Sequence, residues 1–156
     1  MINTKTVIYG VLLSSVSILA HADNNVPQFK DYPAKVYNGK PAKLLLNNQT
    51  AKVFKTRLTE ALKQKPVYAG EYVLASWGCG TECVFYTFVN KRTGQVLDKG
   101  FGGETGEDIK DFKLNSKLLI TRKSDFDDNY NEVGSSTNYS VVNNDQFKVI
   151  KAVASE

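Results

Sequence analysis

An α+β fold, a mainly antiparallel sheet with one amphipathic helix packed on it, is what this sequence predicts. Three features predict it. Residues 51–65 carry a helical apolar stripe. Dense runs of strand-forming residues follow, at 67–76 and 84–90. The connections between such runs are short and rich in Gly, Asn and Asp. Strands joined by hairpin-length turns give antiparallel pairing, and a stripe on one helix face needs a sheet to bury it.

The first 22 residues stand apart from this domain. Lys5 supplies positive charge, Val7 to Ala20 is mostly apolar, and Ala20-His21-Ala22 has an A-x-A pattern. Together these read as a cleaved signal peptide for export to the periplasm. The apolar run is shorter than the ~20 residues a spanning helix needs, so no stable membrane anchor is expected. Residues 23–156 are then a single periplasmic domain.

Cleavage removes His21, the only histidine. Nucleophilic machinery built on imidazole, and histidine-ligated zinc, leave with it. No catalytic, metal or cofactor residues are assigned, and no enzyme activity is expected. Among the carboxylates no acid–base pair stands out. Nineteen Lys and Arg face sixteen Asp and Glu once Lys5 is gone, and the two signs are interspersed, so no nucleic-acid partner is expected.

In chain order, residues 23–43, with Pro27, Pro33, Pro41 and Gly39, read as a loosely ordered arm with a short extended piece at 34–37. Residues 43–46 read as a first strand. Asn48 or Thr50 is placed to cap the helix. Phe54, Leu58, Ala61 and Leu62 fall at i, i+4, i+7 and i+8, and Pro66 ends the helix. The opposite face, with Lys52, Lys55 and Lys63, reads as a solvated face rather than an anion site.

Strands are expected at 67–76, where Tyr68, Tyr72 and Leu74 can share a face, at 84–90, and at 95–101 across the turn Lys91-Arg92-Thr93-Gly94. The glycine-rich stretch 100–106 lacks the Gly-Lys-Ser/Thr of a phosphate loop and reads as a long connection. A further strand is expected within 114–122. Residues 124–138 read as an acidic loop. Asp125, Asp127 and Asn129 open like a calcium loop, but Tyr130 and Ser136 stand where glycine and glutamate are required, which excludes an EF-hand and leaves a looser calcium site as the alternative to a solvated loop. A last hairpin turns at Asn143-Asn144-Asp145. Five to seven strands result.

The candidate site is Trp77-Gly78-Cys79-Gly80-Thr81-Glu82-Cys83, which holds the only tryptophan and both cysteines. In an exported chain Cys79 and Cys83 are expected to pair with each other, the alternatives being an intermolecular bridge or free thiols. So short a loop gains only the low end of the ~2–4 kcal/mol typical of disulfides, so the bridge shapes the loop more than it stabilises the fold. A rigid ring that projects Gly80, Thr81 and Glu82 lowers the ordering cost of binding. Two readings of Trp77 stand side by side: a contact surface for a partner, or a core residue that pins the strand ends.

Residues 72–83, ending in Trp-Gly-Cys-Gly-Thr-Glu-Cys, and Lys91-Arg-Thr-Gly-Gln-Val96 resemble a group of small exported bacterial proteins that carry a Trp-Gly-Cys-Gly-Thr-x-Cys segment and a Lys-x-Thr-Gly-x-Val turn. The resemblance spans roughly 43–96. It implies the fold and a periplasmic address and implies no activity. The loop is also similar in kind to that of periplasmic inhibitors of vertebrate lysozyme, which plug the enzyme with a short cystine-bounded loop. Here the loop has three intervening residues and no histidine, where the inhibitors have four and one. That likeness implies a protein partner such as a peptidoglycan hydrolase or an envelope toxin, with Trp77, Gly78, Gly80, Thr81 and Glu82 as the binding loop. An immunity protein against a cell-wall-degrading toxin fits the same class. The alternatives are a structural or stress-related envelope protein and, behind both, a carboxylate-dependent or redox enzyme.

Overall fold

The structure, a computed structural model, describes residues 25–81 and 83–155. The expected signal peptide and Glu82 lie outside the described residues. Strand makes up 46% of the fold and helix 13%, so the fold is mainly β with a small helical part, more strand-rich than an α+β reading implies. Two antiparallel sheets replace the single expected one. The first has the order β1 (Tyr72–Gly80), β2 (Cys83–Asn90), β3 (Phe101–Gly102). The second has the order β4 (Glu107–Phe112), β5 (Leu118–Phe126), β6 (Glu132–Asn143), β7 (Gln146–Ser155). Among the described residues no helix is long and apolar enough to cross a membrane.

The period-2 alternation of β1 and β2 explains the layering, because successive side chains leave a strand on opposite faces. Val73, Ala75, Trp77 and Val89 point to one side and meet Leu58, Ala61 and Leu62 from the helices. Tyr72, Leu74, Tyr86 and Phe88 point to the other and meet Leu119, Val142, Phe112 and Phe147 of the second sheet. The first sheet is therefore sandwiched, and both its faces are apolar. Between the sheets the aromatic rings meet at angles, as with Phe88 and Phe112 at 5.5 Å and 87°, a favourable edge-to-face arrangement.

The predicted helix forms as two pieces, α1 (Gln49–Val53) and α2 (Lys55–Ala61). Asn48 is the cap, accepting from the Ala51 N–H at 2.8 Å. Phe54 leaves helical geometry at φ −103° and ψ 26° between the pieces. Its ring packs against the core while Leu58, Ala61 and Leu62 are buried, so the predicted stripe is the buried one. Val53 and the lysine-bearing face stay in solvent.

Four expectations need correcting. Residues 43–46 do not form a strand, and 95–101 gives only a bridge from Val96 to Val89 before β3. The 67–76 strand begins at Tyr72, after a turn in which Ala69 takes a φ of 46°. Residues 124–138 are mostly strand: the connection is only 127–131, and β6 carries Ser135, Ser136, Thr137 and Asn138 between β5 and β7. Backbone pairing on both sides overrides the weak apolar pattern there. β4, which the sequence reading missed, is an edge strand with Asp108, Lys110 and Asp111 among its six residues. Charged residues are common on sheet edges, where they discourage further pairing.

Nor is the N-terminal arm loose. Its backbone is tied by Ala34 N–H to Asn115 O, Tyr37 N–H to Gly70 O, Ala42 N–H to Lys91 O and Leu45 N–H to Gly94 O, all at 2.8–2.9 Å. Gly94 makes the last contact possible. Its φ is +79°, and a Cβ there would lie 2.0 Å from Lys43 O. Only glycine combines that backbone angle with so close an approach.

Candidate functional site

β1 and β2 form a hairpin whose tip carries the candidate residues. Trp77 faces Phe85, Gly78 faces Val84 and Gly80 faces Cys83, with the register shifting between Gly78 and Gly80. Cys79 is thereby the extra residue of a bulge, which re-aims a strand end. Cys79 and Cys83 are disulfide-bonded with their Cα atoms 5.1 Å apart, so the intramolecular pairing is the one present. Gly78, Cys79, Gly80 and Thr81 are exposed, and Cys83 is half-buried.

Trp77 does not belong to this exposed tip. It is 7% exposed, stacks on Phe54 at 4.0 Å and meets Phe85 at 4.9 Å. The reading of Trp77 as a partner contact is corrected to the alternative, a core residue. The reason lies in strand parity: Trp77 shares a face with Val73 and Ala75, the face the helices cover. It roots the hairpin just below the bulge.

A second segment supports the disulfide. Gly103 opens a short 3₁₀ turn, Gly103–Thr105, after β3. A Cβ on Gly103 would stand 3.0 Å from Cys79 Sγ and 3.1 Å from Cys83 Sγ, so its backbone rests directly on the bridge. The Thr105 hydroxyl donates to Gly102 O at 2.8 Å and accepts from the Glu107 N–H at 3.2 Å, which holds the turn. The glycine-rich stretch is thus a buttress for the cystine. The two conspicuous motifs meet in space, which their separation in the chain did not reveal.

A polar corner forms at the opposite end of the same hairpin, and the sequence reading did not find it. Asn90, 1% exposed, donates from Nδ2 to Glu71 Oε1 at 2.9 Å and to Asp145 Oδ1 at 2.7 Å. Its Oδ1 accepts from the Arg92 and Thr93 N–H groups. Tyr72 donates to Asp145 at 2.6 Å, and Arg92 grips Glu71 at 2.6 and 3.0 Å. These groups and Lys117 line a cavity of about 390 Å³. Burial pushes Glu71 up, but hydrogen bonds from Arg92 and Asn90 outweigh it and hold the carboxyl below its usual range. Glu71 is therefore an ionised acceptor at neutral pH rather than a proton donor, and the corner reads as a clasp between two hairpin ends. The Asx-turn at Asn90 was legible as a local signal. Its meeting with Asp145 was not.

A half-buried ion pair ties the segment before β3 to β4. Lys99 Nζ lies 2.7 Å from Glu107 Oε2, and Thr121 donates to Glu107 Oε1 at 2.5 Å. Burial raises Glu107, but the bonds from Lys99 and Thr121 prevail and hold it below the ordinary value of 4.5. Both glutamates thus bind protons more weakly folded than unfolded. Their stabilisation is present above about pH 4.5 and is lost as pH falls through the lower folded-state values. Melting temperatures measured from pH 7 to pH 3 should be level at first and then fall in that window, with Glu107→Gln less stable at pH 7 and flatter with pH.

Among the described residues no group of three or more His, Cys, Asp or Glu side chains is placed to hold a metal ion. In the 125–131 segment the Asp127 carboxylate accepts from the Asn129 and Asn131 N–H groups and braces the turn. The fold and the tip together define a mainly β protein that displays a buttressed cystine hairpin. Comparison with known protein families, with curated proteins and with solved structures finds no match.

Proposed function

We propose that this chain is a non-catalytic periplasmic protein-binding module, an inhibitor or immunity protein against a cell-wall hydrolase or other envelope toxin, acting through the disulfide-closed tip. One observation carries the reading. The tip is exposed at Gly78, Cys79, Gly80 and Thr81 while everything beneath it is fixed, by the Trp77 stack below and Gly103 behind. A projection held rigid before binding loses little conformational freedom on binding. The core role of Trp77 narrows the contact set to Gly78, Gly80, Thr81 and Glu82, the last of these from its place in the sequence.

The test is capture of partners from an envelope extract supplemented with a panel of peptidoglycan hydrolases. The oxidised wild type should retain a partner that Thr81→Ala/Glu82→Ala loses, with both proteins melting at the same temperature. Equal retention by the variant would transfer the function away from the tip. Absence of any partner would favour the structural envelope-protein reading.

A further inference from the structure

We infer that an aromatic groove beside the cystine tip docks a cationic, Arg- or Lys-rich segment of a partner protein. The groove holds about 900 Å³ and lies between the 3₁₀ turn behind the disulfide and the β5–β6 connection. Gly103 belongs to both features: it touches the cystine sulfurs and lines the groove. The groove is therefore continuous with the tip.

Its walls are those of a recognition surface. Phe126 is 52% exposed and Tyr130 89% exposed, and both line it. Tyr130 is displayed from a backbone with φ of 60°, an angle that bulky residues rarely adopt. Exposed rings grouped along a groove mark interaction sites more often than scattered ones do.

Charge selects the occupant. Asp108, Asp127 and Asp128 line the groove, and among the described residues no lysine or arginine does. Among the described residues neither Asp108 nor Asp128 is in an ion pair, since the carboxylates that are paired are Glu60, Glu71, Glu107, Asp125 and Glu132. This negative wall sits on a chain of formal net charge +4, so it is a local departure from the overall balance. A guanidinium or ammonium gains from the carboxylates and from the faces of exposed aromatic rings at once.

The inference deepens the protein-binding reading and rests on it for the kind of partner, but its test does not use the tip. Hexa-arginine is titrated into the ¹⁵N-labelled, oxidised protein while amide shifts are followed, with hexaglutamate as the control. Saturable shifts confined to residues 103–108 and 124–130 are expected, and none with hexaglutamate. Asp108→Asn/Asp128→Asn should weaken the peptide about tenfold, and Tyr130→Asn about threefold. Asp31→Asn/Glu60→Gln, equal in charge change but away from the groove, should leave binding unchanged. Shifts spread over the whole surface, equal weakening by the off-groove pair, or full binding by both groove variants would overturn the inference. A groove that binds while the tip variant still retains its partner would instead count against the tip alone.

Discussion

Trp77→Ala is expected to lower stability by about 3–5 kcal/mol, the range for truncating a large buried aromatic. The indole is held between Phe54, from the break between the helices, and Phe85, across the strand pair. Its loss opens a cavity where the helices, β1 and β2 meet. Equilibrium unfolding in urea, followed by far-ultraviolet circular dichroism, measures the loss. Trp77→Phe should recover most of it by keeping the stack on Phe54. A further sign is available because Trp77 is the only tryptophan: its emission should be blue-shifted in the native protein and move to the red on unfolding. An emission already red-shifted in the folded protein would contradict the core placement.

Asn90→Ala is expected to cost about 2–3 kcal/mol, since it removes four hydrogen bonds made by one buried side chain. Removing the amide leaves Glu71 and Asp145 without the donor between them and leaves the Arg92 and Thr93 N–H groups without their acceptor. Asn90→Asp is a sharper probe. It keeps the acceptor for the turn but sets a third carboxylate beside two others. At pH 7 it should be less stable than the wild type. The deficit should narrow as pH falls toward 4, because the introduced carboxyl, once protonated, regains one donor and loses the repulsion. A deficit that did not change with pH would mean that the clasp is held by shape rather than by charge.

Local patterns carried much of this fold into view. The stripe at Phe54, Leu58, Ala61 and Leu62 is buried as its period requires, and the β-former run at 84–90 is β2. The last hairpin turns at Asn144 and Asp145, whose φ values of 48° and 60° suit the Asn and Asp found there. What escaped was decided by pairing rather than by composition. β4 and the first half of β6 are polar strands that exist because β5 and β7 offer them backbone partners. The split into two sheets was hidden for a related reason. Tyr72, Leu74, Tyr86 and Phe88 are apolar on the second face of β1 and β2, which says that something covers that face without saying what.

The candidate site divided along the same line. The cystine was legible from two cysteines four residues apart, and it is closed as expected. Whether Trp77 pointed to a partner or to the core depended on which face of β1 the helices cover, and that is a tertiary fact. Gly103 and the groove beyond it were out of reach, because 100–106 read as a connection and 124–138 as solvated acid. The antiparallel return of β3 beside β2 brings Gly103 to the disulfide, and the pairing of β4 with β5 brings the two stretches together at the groove.

The central claim, that the exposed tip is the contact surface, is tested most directly by installing a photo-crosslinking amino acid at Thr81 in the oxidised protein, with Asp31 as a distant control. Irradiation in the envelope extract should give one discrete adduct from position 81 and none from position 31, and excess unlabelled wild type should compete it away. A position-81 protein that is folded and disulfide-bonded yet yields no adduct, or yields the same adducts as position 31, would contradict the claim.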